Sequence, residues 1–338
     1  MASIKDIAEM CGVSVATVSK ALNDKDDISE KTKEEIKRVA REMSYFPQFY
    51  ARAIRMNKSY NLGVLFVDES MSGLTHDYFA NILNSFKVTA EAKGYDITFI
   101  NSNKREVNNK TYLEHCRYRG LDGVVIACID FYNPEVVALI NSSIPTVTID
   151  KEFEGRTSIN SDNDTGMREL IEYIIENGHE NIAYIHGELS DVTKHRINIF
   201  KEVMKEHGIK TSSNRILQSE YRNPIKAGEI THKLLKQKYP PTCIVYSDDY
   251  SAIGGIGAIN DMGLSIPGDI SIAGFDDIFL AGQLVPRLTT VKQYTENIGT
   301  IAAEKLIALI ESGGKAEHET ITVPTSLIKG ETVANVSK

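Results

Sequence analysis

Four cysteines in 338 residues, at positions 11, 116, 128 and 243, are too few and too far apart for a disulfide framework or a C-x-x-C site. Cys128 and Cys243 fall inside apolar, strand-like runs, so reduced and mostly buried thiols are expected. No apolar run approaches the length of a membrane span, and the opening MASIKDIAEM has no signal-peptide core. A cytoplasmic protein without a membrane partner is the expectation. A phosphate-binding glycine loop, a nucleophile–base pair and histidines at metal-ligand spacing are all missing, which disfavours an enzyme and gives no reason to expect a metal or a cofactor. Leucine heptads are also lacking after Lys329, so nothing points to an added tetramerising tail.

What is present is ordinary in bulk and organised in detail. Apolar residues make up 42% and charged residues 25%, as in soluble globular proteins, and the length allows two or three domains. The net charge is -8, but it is unevenly spread: residues 1–60 carry 11 Lys and Arg against 9 Asp and Glu, the remainder 27 against 37. A weakly basic first segment ahead of an acidic body has the sign that a nucleic-acid-binding head needs.

That first segment, SIKDIAEMCGVSVATVSKALN, reads as two short helices around a tight turn. Ile4, Ile7, Ala8 and Cys11 recur at helical spacing, Ser3 and Asp6 form a capping-box pattern, and Gly12 permits the turn. Ser14 is placed to cap a second helix with Val15, Val18, Ala21 and Leu22 inward. Winding it at about 100° per residue puts Ala16, Lys20 and Asn23 outward and Thr17 and Ser19 on the flanks. Such a short polar face suits a major groove, where Lys20 donates to a guanine edge, Ala16 meets a thymine methyl and the hydroxyls lie near phosphates. Ser29 starts a third helix whose Ile36, Val39, Ala40 and Met43 close a small core.

From Leu62 onward, β-branched runs alternate with helical patterns. Strands are expected at Leu62–Val67, Ile97–Ile100, Gly123–Cys128, Thr146–Ile149, Ile182–His186, Ile244–Ser247 and Ile270–Phe275, with a weaker one near Ile216. Two sets of continuous apolar strands imply two α/β lobes with parallel sheets. Acidic residues follow many of these strands: Asp68, Asp150, Asp248 with Asp249, and Asp276 with Asp277. Open parallel sheets bind ligands at their carboxyl ends, so facing lobes would gather these acids at one cleft.

The first segment resembles the helix-turn-helix of the lactose-repressor (LacI/GalR) family, sharing Lys5, Asp6, Ile7, Ala8, Gly12, Val13, Ser14, Thr17, Val18, Ser19, Leu22 and Asn23, with Cys11 for alanine and Lys20 for arginine. The stretch after it resembles that family's hinge at Tyr45, Pro47, Ala51 and Arg52, with Gln48 for asparagine and Ile54 at the wedge leucine. The body continues the likeness through GLDGVVI from Gly120, IPTVTID from Ile144, SDNDTG from Ser161, ENGHENIAYIHG from Glu176, DISIAGFDD from Asp269 and LTTVKQ from Leu288.

The resemblance implies a helix-turn-helix head over residues 1–46, a hinge over 47–60, and a two-lobed, periplasmic-binding-protein-like (type I) core of doubly wound parallel sheets. Its lobes would comprise 61–161 with 290–322, and 162–289 with 323–338. It implies a sequence-specific repressor, acting as a homodimer on a near-palindromic duplex and controlled by a small molecule. DNA contacts would come from Ser14, Val15, Ala16, Thr17, Ser19, Lys20 and Asn23, and in the minor groove from Ala51, Ile54 and Arg55. Effector contacts would come from Phe79, Asp150, Arg196, Tyr221, Asp248, Phe275, Asp276 and Gln293. An arginine fork, several carboxylates and aromatic walls suit the hydroxyls and apolar side of a sugar. Asp68, Asp249 and Asp277 are expected as strand-end caps or solvated loop residues. Two other readings stay open: an enzyme using Asp248 and Asp249, and a solute-binding protein without DNA activity.

Overall fold

The computed structural model describes residues 2–45, 58–67, 73–100 and 110–337. Pro47, Gln48, Ala51, Arg52, Ile54 and Arg55 of the expected hinge, and Asp68, lie outside the described residues. The chain divides into two compact units, residues 1–60 and 61–338.

The first unit holds three helices: α1 (Ile4–Cys11), α2 (Val15–Leu22) and α3 (Glu30–Glu42). The Ser3–Asp6 capping box is complete: Ser3 N–H donates to Asp6 at 2.7 Å, and Asp6 N–H donates to the Ser3 hydroxyl. Gly12 sits at φ 64° and ends α1, and the Ser14 hydroxyl accepts from Thr17 N–H to start α2. Ile7, Val18, Ala21 and Ile36 are fully buried and form the core with Ala8, Val39 and Ala40. Val15 does not join them. It is the first residue of α2 and stays 41% exposed, because the opening turn of this helix projects away from the three-helix core.

The second unit opens with β1 (Asn61–Phe66), α4 (Asp77–Ala92), β2 (Asp96–Phe99), α5 (Tyr112–Arg119), β3 (Gly123–Ala127), α6 (Pro134–Ile140), β4 (Thr146–Ile149) and β5 (Thr157–Ser161). These strands and a later one, β11 (Thr320–Val323), make a parallel sheet in the order β11-β5-β4-β3-β1-β2. After α7 (Asn163–Glu176) come β6 (Ile182–His186), α8 (Asp191–Glu206), β7 (Ile216–Gln218), α9 (Pro224–Leu235), β8 (Cys243–Tyr246), α10 (Asp249–Asp261) and β9 (Ser271–Ala273). They build a second parallel sheet, β7-β6-β8-β9. Side chains alternate across it: Tyr184 and Val245 join one core cluster, Ala183, Ile185 and Ile244 the other.

The chain crosses between the two sheets three times. The first crossing follows β5. The second follows β10 (Thr290–Gln293) into α11 (Thr295–Glu311), which packs on α4 and over β3, β4 and β5. The third leads from β11 into β12 (Thr325–Ile328), which pairs antiparallel with β10. Val291 belongs to the core of the second lobe, beside Ala273 and Phe275. The return to the first lobe therefore begins after Gln293, and not at residue 290 as the sequence reading had it. Four strands escaped that reading. In β5, Thr157, Ser158 and Ser161 are buried yet hydroxylic, so no apolar run announces the strand.

The α11–α4 crossing is close enough to require glycine. A Cβ at Gly299 would stand 2.1 Å from the Ile82 carbonyl oxygen and 2.1 Å from the Ser85 hydroxyl. Gly299→Ala is expected to cost about 2–3 kcal/mol in urea unfolding, through overpacking. Gly257→Ala, in α10 with nothing within 4 Å of the added carbon, is expected to stabilise by about 0.5–1 kcal/mol. Equal effects at the two sites would refute this packing.

Candidate functional site

In the head, Ser14, Val15, Ala16, Lys20 and Asn23 are exposed on α2, with Thr17 and Ser19 partly covered. Several polar groups on this face already have partners. Ser14 caps the helix, Asn23 Nδ2 donates to the Ser19 carbonyl at 2.6 Å, and Lys20 Nζ donates to Asp27 at 2.5 Å. The sequence placed Asp27 in an acidic turn without linking it to Lys20, a partner seven residues away around the end of the helix. Both side chains are about half exposed, so water and salt weaken the pair and Lys20 is released at little cost to a phosphate or base edge.

In the second lobe the expected residues assemble around Arg196. This side chain is 4% exposed. Its Nε donates to Asn163 Oδ1 at 2.8 Å, an Nη1 proton goes to the Ser247 carbonyl at 3.1 Å, and its plane lies 3.6 Å over the Phe275 ring. Phe275 is therefore the floor on which Arg196 rests, more than an open wall. Gln293 Nε2 donates to Asp276 Oδ1 at 2.6 Å, and the Tyr221 hydroxyl pairs with Thr193 at 2.9 Å. Gly187 makes room for that ring, since a Cβ there would meet it at 2.3 Å.

Asp248 is at the site but its carboxylate is engaged. One oxygen accepts from Ser251 N–H at 2.8 Å, the other from the Ser247 and Ser251 hydroxyls and from Arg222 N–H. Its geometry is that of a helix cap, which corrects its reading as a ligand carboxylate. Asp249 corrects the expectation of a cap or solvated acid in the opposite sense. It is fully buried and clamps two segments by accepting from Thr290 Oγ1 at 2.6 Å and Ile278 N–H at 2.9 Å. Burial and then the nearby Asp276 push its carboxyl well above the usual range. Asp277 is partly buried, with Lys292 at 3.8 Å.

The first lobe contributes Asp150 and Phe79, and a residue that sequence reasoning missed. Tyr78 is buried, and its hydroxyl donates to Asp150 Oδ2 at 2.8 Å within the field of Asp276 and Arg196. Its neighbour Phe79 packs edge-on to Tyr78 and against Phe66. Asp150, Asp276 and Arg222 have positive φ angles of 61°, 117° and 54°, strain of the kind that collects at binding sites. Burial raises the carboxyl of Asp150. It also pushes Asp276 up to about 7, with Asp248 adding repulsion and Arg196 and Gln293 pulling the other way. Two under-solvated carboxyls beside a buried guanidinium form a site that takes hydrogen bonds from hydroxyls and gives them from Arg196.

Known proteins share this arrangement. Residues 3–48 match the pattern described as bacterial regulatory proteins, lacI family, and residues 171–333 that of a periplasmic binding protein-like domain. A probable HTH-type transcriptional repressor, ExuR of Bacillus subtilis, is 33% identical over 322 residues, spanning 94% of both chains. The chain belongs to the lacI family of bacterial regulatory proteins. Another lacI-family relative, the HTH-type transcriptional repressor PurR of Histophilus somni (strain 129Pt), is 30% identical over 97% of this chain and 98% of its own. The lac repressor dimer bound to operator and an anti-inducer superposes with a TM-score of 0.85, at 24% identity, over 98% of this chain and 99% of that one. The fold of this regulator is thus a helix-turn-helix head joined to a two-lobed core with parallel sheets.

The Asp276 carboxyl gives a pH prediction. Its pKa is raised from 3.8 to about 7, so in the fold it holds its proton at pH 5, and ionising it inside costs more than in the unfolded chain. The stability gained from its neutral form is lost as pH rises towards and through about 7. Asp276→Asn removes that loss. Relative to the natural chain, the variant should gain on the order of 2–4 kcal/mol between pH 5 and pH 8 in denaturant titrations. Parallel stability curves across that range would contradict the assignment.

Proposed function

We propose that this chain is a homodimeric transcriptional repressor whose binding to a near-palindromic operator is governed by a neutral sugar or close sugar derivative held between the lobes. The observation that carries the reading is one polypeptide bearing both a groove-sized polar helix face and a cleft of buried carboxyls around a stacked arginine. Asp150, Asp276, Arg196 and Gln293 hold the sugar hydroxyls, Tyr78 orients Asp150, and Phe79 and Tyr221 cover apolar ring faces. No metal or cofactor has a part in this scheme. The relatives are named as repressors and not as enzymes. Among the described residues no helix is long and apolar enough to cross a membrane, and we place the protein in the cytoplasm, where its DNA is.

Dimerisation on the second lobe is supported by large apolar side chains left in water: Ile225 is 77%, Phe279 82% and Val285 96% exposed. Two heads carried by a two-fold dimer require a two-fold operator. Effector and operator then compete or cooperate through one equilibrium between lobe arrangements.

Selection of bound duplexes from a random pool tests the DNA half and is expected to enrich one inverted repeat; no enrichment would refute it. Lys20→Ala should relax the preference at one base pair per half-site by about tenfold or more. Arg196→Ala should leave operator affinity intact and abolish the response to sugars in a gel-shift titration. A normal sugar response in that variant would remove Arg196 from the site.

A further inference from the structure

Two charged contacts join the first lobe to the second beside the site, and neither was legible in the sequence. One is centred on Asp191, the first residue of α8. Its carboxylate receives Lys151 Nζ and accepts from the Tyr132 hydroxyl at 3.0 and 3.1 Å. Lys151 directly follows Asp150 in the chain, and its ammonium lies 4.8 Å over the Tyr132 ring. The Lys151 and Asp191 side chains are 20% and 30% exposed, so the pair is less screened than one on open surface. Lys151 holds the Asp191 carboxyl below its usual range.

The other contact is centred on Arg222, after β7. Its Nη2 donates to the Thr75 carbonyl at 3.0 Å and to Asp77 Oδ2 at 3.2 Å, while the guanidinium rests 4.4 Å over the Tyr250 ring of its own lobe. Arg222 N–H donates to Asp248, the cap of α10. Asp77 directly precedes Tyr78, which bonds Asp150. Two of the latch residues, Lys151 and Asp77, are thus chain neighbours of site residues. Along the sheet, the first latch leaves from the end of β4 and the second from the start of α4 after β1, with β3 between them. The lobes are pinned at two separate points.

We propose that these latches make the cleft a closed compartment for a single-ring polyol, excluding two-ring sugars and glycosides, and that their opening gates entry and exit. The proposal rests on the effector reading given above and deepens it. A second ring would have to project between the lobes where Lys151 meets Asp191 or where Arg222 meets Asp77. Either path separates a partly buried charged contact and leaves its groups without partners. A single ring leaves both latches made, and its hydroxyls reach Asp150, Asp276 and Arg196.

The test compares the full-length protein with the double variant Asp191→Asn, Arg222→Gln. Backbone hydrogen exchange at residues 73–80 and 188–196, measured without sugar, should be at least about tenfold faster in the variant, while protection of β6 stays unchanged and shows that the fold is intact. Equal exchange would overturn the latches. Binding is then followed by stopped flow with D-ribose, D-glucose and D-galactose as single rings and cellobiose and lactose as double rings. The natural chain should bind a single ring and neither disaccharide; the variant should release that ring about tenfold faster or more and gain measurable disaccharide binding. Disaccharide binding by the natural chain as tight as that of any single ring would overturn the compartment. Faster exchange in the variant with no sugar bound by either protein would overturn the polyol assignment and leave the latches standing.

Discussion

A guanidinium buried flat against an aromatic ring is the constraint on which the site depends. Arg196 has given up nearly all of its hydration, and the cost of that is offset by the Phe275 face, Asn163 and the Ser247 carbonyl. Each of those partners belongs to a different element: the end of β9, the start of α7 and the end of β8. Arg196 therefore fixes where the carboxyl ends of the second lobe's strands stand relative to α8. Asp276 adjoins Phe275 in the chain and is held by Gln293, so its position follows from the same stack.

The two corrected acids show how the same residue type serves different ends. Asp248 spends its oxygens on four donors and sets the first turn of α10. Asp249, the next residue, ties α10 to Thr290 and so to the ladder at the second crossing between lobes. Gly274 allows it, since a Cβ there would lie 2.2 Å from its oxygen. Asp150 and Asp276 are less fully satisfied and strained at φ, which is the combination expected of groups waiting on a ligand.

Much of this was legible in the chain. The head could be read almost residue by residue because caps, glycine turn and apolar spacing act locally. The apolar strands of both lobes were readable for a similar reason. β5 was hidden because its buried positions are threonine and serine, and β10, β11 and β12 because they mix hydroxyls with single apolar residues. Arg196, Asp276 and Gln293 came from family likeness, and the structure places them within one stack. Tyr78, Asp27 and the interlobe latches left no local trace. Their partners are distant in sequence, and an isolated tyrosine or aspartate carries no periodic signal.

The central claim is that a small polyol between the lobes and a duplex on the head act on one equilibrium. Calorimetric titration of a single-ring sugar into the full-length protein, with and without a saturating selected operator duplex, tests this most directly. The account predicts that operator changes sugar affinity by a factor of about 5–150, equal to the factor by which the sugar changes operator affinity. Sugar affinity that is the same in the presence and absence of operator would contradict it.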